Sequence, residues 1–119
     1  MLKLSKTNTI TLPVSIRLPT DDAGKSNEGT IKVRYNLLPQ QAVADMVDAA
    51  VSDREVIDRV LVEVIGLGDA DGQPISGADA LEVVLNSGWS RHLQMAIVGE
   101  YFEHFGQARV KNSRPLRGR

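Results

Sequence analysis

Asn8–Pro19, "NTITLPVSIRLP", alternates apolar and polar residues, and its reading decides the fold. Ile10, Leu12, Val14, Ile16 and Leu18 fall on one face of an extended chain, which predicts a half-buried strand and not a helix. Pro13 sits on the other face and cannot donate to a ladder, so the strand is expected at a sheet edge or bulged at that point. A second stretch, "GTIKVRYNL" at 29–37, alternates in the same way. It sends Ile31, Val33, Tyr35 and Leu37 inward and Lys32 and Arg34 outward. Between the two lies the polar, breaker-rich "PTDDAGKSNEG", which is too long for a tight turn. An antiparallel pair with a long polar tip follows.

Beyond Leu37 the apolar period changes from two to about 3.6. Pro39 suits the first position of a helix striped by Val43, Met46, Val47 and Ala50. Ser52 and Glu55 have capping-box spacing ahead of Val56, Ile57, Val60, Leu61 and Val64, which predicts a second helix. The β-branched run from Leu61 to Leu67 fits either the end of that helix or a short strand. "SGADALEVVLNSG" reads as a third, short helix, with Ser76 three residues before Asp79 and Gly88 placed to end it. The longest helix repeats Leu93, Ile97, Tyr101 and Phe105, widened by Ala96, Val98 and Phe102, and Gly106 is expected to terminate it. The fold class is therefore α+β: an N-terminal antiparallel β-pair followed by three to four short α-helices. Residues 1–106 form a single α+β domain in this reading, and 107–119 a flexible basic C-terminal tail.

A chain of 119 residues is long enough for one core and too short for two. Aromatic residues make up only 4%, so the core rests on Val, Ile, Leu and Ala. With no cysteine there is neither a disulfide nor a thiolate metal site. "MLKLSKTNTI" lacks the apolar core of a signal peptide, and no apolar run approaches spanning length. The expectation is a soluble, cytoplasmic protein without a membrane role. The net charge of −1 conceals segregation: Lys3, Lys6 and Arg17 with no acid in residues 1–20, and ten acids against two arginines in 45–82. Arg109, Lys111, Arg114, Arg117 and Arg119 then stand with no acid at the end. Basic ends and an acidic middle can attract within one chain or between copies, and a solvated surface gives the same pattern.

Each candidate for chemistry fails on spacing. "GDADGQP" at 68–74 looks like the centre of a calcium loop, but with Gly72 at the sixth position the first falls on Leu67 and the twelfth on Ala78. Asp, Gly and Pro in this succession are what a tight turn requires, and a turn is expected. Gly66 and Gly68 begin a dinucleotide fingerprint whose third glycine is replaced by Asp71. Glu100, Glu103 and His104 match no di-iron or zinc spacing, and Glu100 with His104 reads as an exposed i,i+4 pair. His92 and His104 mark no triad, and no serine occupies a nucleophile elbow. No catalytic, cofactor-binding or metal-binding residue is assigned, and no enzyme activity or cofactor is expected. The tail has basic residues for phosphates but no aromatic for stacking, and the body is acidic, so nucleic acid is not the expected partner. Trp89, the single tryptophan, is expected to anchor the core; exposed beside Met95, it would instead mark a contact surface.

In their order, "TIKVRYNLLPQQ", "DAAVSDREVIDRVLVEVIGLGDADGQPI", "ADALEVVLNSGWSRHLQMAIVGEYFE" and "ARVKN" resemble the tail assembly chaperones of long-tailed bacteriophages, over about residues 29–112. That family has a turn of the Asp-x-Asp-Gly-x-Pro type, filled here by Asp69, Asp71, Gly72 and Pro74, which links two helical parts. The chain departs in having Ile65-Gly66 where Gly-Trp is frequent, and only Tyr35 as an aromatic in the second strand. The resemblance implies a non-catalytic protein of the host cytoplasm. It would bind the tape measure protein, help recruit tail tube subunits and self-associate. A small structural head–tail joining or tail completion protein is the alternative.

Overall fold

The computed structural model describes residues 1–105, so the expected helix stop at Gly106 and the basic tail at 107–119 lie outside the described residues. β1 (Thr9–Pro19) and β2 (Ser26–Asn36) pair antiparallel along their whole length, from Thr9 opposite Asn36 to Pro19 opposite Ser26. β2 also pairs with β3 (Leu61–Ile65), giving a sheet of order β1-β2-β3. Four helices follow the hairpin, α1 (Gln40–Ala49), α2 (Asp53–Val60), α3 (Gly77–Asn86) and α4 (Ser90–Phe105). The short strands β4 (Leu67–Gly68) and β5 (Pro74–Ile75) pair between β3 and α3. The α+β architecture read from the sequence is thus the observed one.

Alternation works as expected through both long strands. Leu12, Val14 and Ile16 of β1 and Ile31, Val33 and Tyr35 of β2 are buried, while Lys32 and Arg34 face outward. Pro13 lies in the edge strand β1, where one side needs no ladder donor. The polar tip is shorter than its sequence implies, because pairing continues through Pro19 and Ser26 and leaves only residues 20–25 to turn. There Thr20 Oγ1 donates to the carbonyls of Asp22 and Lys25, and Gly24 takes φ +86°. Leu37 departs from the inward pattern and is exposed. The strand has ended at Asn36, and with it the period-two constraint; Leu38 packs against the core in its place.

The ambiguous run after α2 resolves as a strand. α2 ends at Val60 and β3 begins at Leu61 without a loop, with Arg34 opposite Glu63 and Tyr35 opposite Leu61. Skipping Val62 makes a bulge, and Arg34 meets Glu63 at 3.4 Å across the strands. This third strand gives the central strand β2 a neighbour on both sides over Lys32–Tyr35.

Helix ends follow local chemistry. Ser52 caps α2 by accepting from the Glu55 amide at 3.2 Å, while the Glu55 carboxylate pairs with Arg59 at 3.0 Å, so only half of the capping box forms. Pro39 is the N-cap of α1 and not its first helical residue. At α3 Ser76 makes no side-chain cap bond, and its backbone leads into Gly77 at φ +59°. Gly88 does not terminate α3; Ser87 does, donating its hydroxyl to the Val83 carbonyl at 2.6 Å. Ala50 closes α1 at φ 51° and ψ 47°, with its amide donating to Met46 and Val47 carbonyls, and it is exposed where the stripe reading had it inward. It is the only non-glycine at positive φ among the described residues.

The core lies between the sheet and the helices, with α4 packed against β1, α2 and α3. Tyr35 and Tyr101 meet in it, with ring centroids 5.1 Å apart. The Tyr35 hydroxyl donates to the Ile97 carbonyl at 2.7 Å; the Tyr101 hydroxyl donates to the Asn36 carbonyl at 3.1 Å and accepts from the Leu38 amide at 3.4 Å. Burial pushes both phenols above their ordinary pKa of 10.0; the nearby Glu100 carboxylate adds to the rise at Tyr35, and the Leu38 amide opposes it at Tyr101.

Two stability predictions follow from these positions. Ala50→Gly relieves a left-handed L-residue and raises stability by about 0.5–1 kcal/mol, read as an increased midpoint in urea. The raised phenols hold their protons in the folded state at pH values where unfolded chains ionise, so their contribution is complete below pH about 10 and declines above it. Thermal melts between pH 8 and 11 should show Tm falling in that alkaline limb, with a shallower fall in Tyr35→Phe and Tyr101→Phe.

Candidate interaction surface

The residues singled out for chemistry separate in space and take structural roles. The Asp69 carboxylate accepts from the Asp71 and Gln73 amides, both at 2.9 Å. Its backbone N–H donates to the Gln73 carbonyl, its C=O accepts from Gly72, and Gly72 takes φ +81°. One carboxylate thus organises the five-residue loop between β4 and β5, as an Asx-type turn does. "GDADGQP" is a turn. Gly66 takes φ +106°, a backbone conformation that favours glycine, and a Cβ there would meet the Ile31 Cα at 3.4 Å, an ordinary contact. This glycine serves the turn of the chain away from β2, with no helix following it as a phosphate cradle requires.

On α4, Glu100 is partly buried beside Tyr35, whereas Glu103 and His104 face outward, His104 against the Phe105 ring at 4.6 Å. Among the described residues no three His, Cys, Asp or Glu side chains come close enough to hold a metal ion. His92 lies near Trp89, with ring centroids 5.9 Å apart, and its Nδ1 is buried without a hydrogen-bond partner among the described residues. Gln94, which the apolar stripe of α4 passes over, is buried and donates to the Val84 carbonyl at 3.0 Å, fastening α4 to α3.

Trp89 corrects the expectation of a core anchor: 44% of its surface is exposed, and Met95 is 52% exposed. The cause is local. Trp89 occupies the α3–α4 junction, its amide held by the Ser87 hydroxyl at 3.1 Å and its carbonyl accepting from Leu93 at 3.0 Å. These backbone bonds keep the residue at the mouth of the core and not within it. There it borders an open groove of about 660 Å³ whose lining also includes Leu18, Leu67, Ile75, Val83 and Leu93. The end of the long hairpin, the β4–β5 turn and the α3–α4 junction enclose it, with Asp21 and Asp69 at its edge. Half-exposed tryptophan over an apolar groove is the composition of a protein-contact site. The spacing of Trp89 just past a helix end was the sequence signal; the groove itself, assembled from segments far apart in sequence, had none.

The chain matches no protein-family model, no curated protein and no solved structure. Among the described residues no helix is long and apolar enough to cross a membrane.

Asp69→Ala removes two amide acceptors at once and should destabilise the fold by about 1–3 kcal/mol. Calcium at millimolar concentration should leave the Tm of the parent chain unchanged, because among the described residues no three acidic or histidine side chains converge to ligate it; differential scanning fluorimetry reads both results.

Proposed function

We propose that this chain is a phage tail assembly chaperone, a non-catalytic protein that binds the tape measure protein and helps recruit tail tube subunits. The observation that carries this reading is the apolar groove with Trp89 at its mouth. The ordered resemblance over residues 29–112 supports it from the sequence side. A long helical client presents apolar side chains at i, i+3, i+4 and i+7, and an open groove of this size accepts a few of them at a time. Several copies along one client then hold by multivalency while each contact stays weak enough to release.

The expected complex forms on co-expression with the neighbouring tape measure protein and elutes on size exclusion with several copies per client chain. A chain that runs as a stable ring beside insoluble tape measure protein would favour a head–tail joining protein. Trp89 is the single tryptophan. Its emission should shift to the blue when a tape measure fragment binds, and Trp89→Ala should weaken binding by about tenfold or more, as a contact hot spot does. Unchanged emission with undiminished binding would remove the groove from the reading.

A further inference from the structure

The sheet has an unfilled place. β2 pairs with β1 along its whole length, but β3 covers it only from Lys32 to Tyr35. Along Ser26–Thr30 the second side of β2 makes no backbone hydrogen bond among the described residues, and the strand is exposed. The gap arises because the chain turns away at Gly66 after Ile65, opening a hollow of about 190 Å³ between Glu28–Thr30 and Gly66–Gly68. Gly29 deepens it. It lies on the inward face with Ile31, its Cβ would meet nothing within 4 Å, and Ile16, Leu18 and Leu93 form the apolar floor. An open ladder edge beside an apolar hollow is the geometry into which a short strand adds.

The same molecule carries an unplaced strand pattern. Leu2 and Leu4 are 88% and 87% exposed and alternate with Lys3 ahead of β1. Placed beside β2, such a segment has one register that puts both leucines over the hollow: they stand opposite Asn27 and Gly29, and Lys3 then stands opposite Glu28. Run in either direction, that register pairs leucine with the hollow on the inner face and sets Lys3 on the outer face opposite Glu28, whose carboxylate also holds Arg17 of β1 at 2.7 Å and would be shared between the two cations.

This segment cannot reach the hollow of its own chain. Gly29 is level with Ile16, seven residue steps along β1 from Thr9, which at about 3.4 Å per residue is about 24 Å. Leu4 is five steps from Thr9, a reach of at most about 18 Å even when fully extended. We therefore infer that residues Met1–Leu4 of one copy add as a strand to the open edge Ser26–Thr30 of a second copy, with Leu2 and Leu4 in the hollow at Gly29 and Lys3 opposite Glu28. Because each chain has one donor segment and one acceptor edge, the contact is heterologous and builds rings or open chains of copies unless two chains exchange segments. The inference concerns the chain alone and stands or falls independently of the tape measure client.

The chain has no native cysteine, which makes cross-linking clean. Lys3→Cys and Glu28→Cys chains, mixed and oxidised, should give a mixed disulfide dimer in high yield, while Lys3→Cys mixed with Thr11→Cys on the outer edge of β1 should not. Light scattering of the parent chain should show mass rising with concentration. Leu4→Asp should shift it to monomer, and so should Gly29→Val, which fills the hollow at a position where a Cβ is free of contacts. Circular dichroism should show both variants folded. Association unchanged by both variants would overturn the inference by placing the contact elsewhere. So would an intrachain disulfide in the Lys3→Cys, Glu28→Cys double variant at high dilution. A parent chain that is monomeric at all concentrations also overturns it, even where Gly29→Val abolishes client binding, since the edge then belongs to the client.

Discussion

Two tyrosines couple the sheet to the helices, and the rest of the structure depends on that coupling. Tyr35 stands in the central strand and reaches the backbone of α4 at Ile97; Tyr101 stands on α4 and reaches the backbone at Asn36 and Leu38, where β2 becomes α1. Each ring thus anchors the other's element, across more than 60 residues of sequence. A sheet with one apolar face is unstable without a cover, and a single three-stranded sheet has little area to hold one. Directed hydrogen bonds fix the angle of α4 where aliphatic packing alone would let it slide. With only 4% aromatic residues, the chain places two of its five at this joint, and Phe105 packs on Tyr101 from the next turn at 4.8 Å.

That joint also explains where the molecule is left open. α4 is held at its middle and far end by Ile97 and Tyr101, and to α3 by Gln94. Its first turn rests on the serine-capped junction at Ser87 and Trp89, beside the distal end of the long hairpin. The hairpin is 11 residues on each side, whereas β3 covers the central strand over only its last part. The hairpin therefore projects beyond the third strand, and both the groove and the open edge occur along that overhang. The exposed apolar surface is not scattered but follows from unequal strand lengths.

The sequence made the covered part of the fold legible and left the overhang obscure. Alternation in β1 and β2 is visible because one face is wet and one is dry over most of their length. The stripe of α4 is visible for the same reason. The third strand was ambiguous because Leu61–Leu67 is apolar on both sides of Glu63, and one polar residue in so short a run does not separate a strand from the end of a helix. Leu37 and Ala50 were misassigned because periodicity was carried past the residue where the element ends. Pro39 was one position from its expected role, while Gly88 stands just past the C-cap as expected but without the left-handed backbone that would make it the stop. Trp89 was misassigned for a different reason: its placement is decided by Ser87, which holds the backbone, and by distant segments that stop short of covering the ring.

A buried polar network is overdetermined, since each partner left alone would be penalised. An uncovered groove is determined only by what is missing, and many sequences leave one. What makes this groove specific is its rim. The Asp69 turn fixes one wall with four hydrogen bonds, two to its carboxylate and two between backbone groups, and the Ser87 and Ser90 hydroxyls fix the other by sharing the Val83 carbonyl. Apolar surface on a floppy loop collapses onto the core or onto itself. Held between two hydrogen-bonded turns it stays open, because closing it would break those bonds for no larger gain in burial. The turn that carries a false calcium signature is, in this way, the element that keeps the groove open.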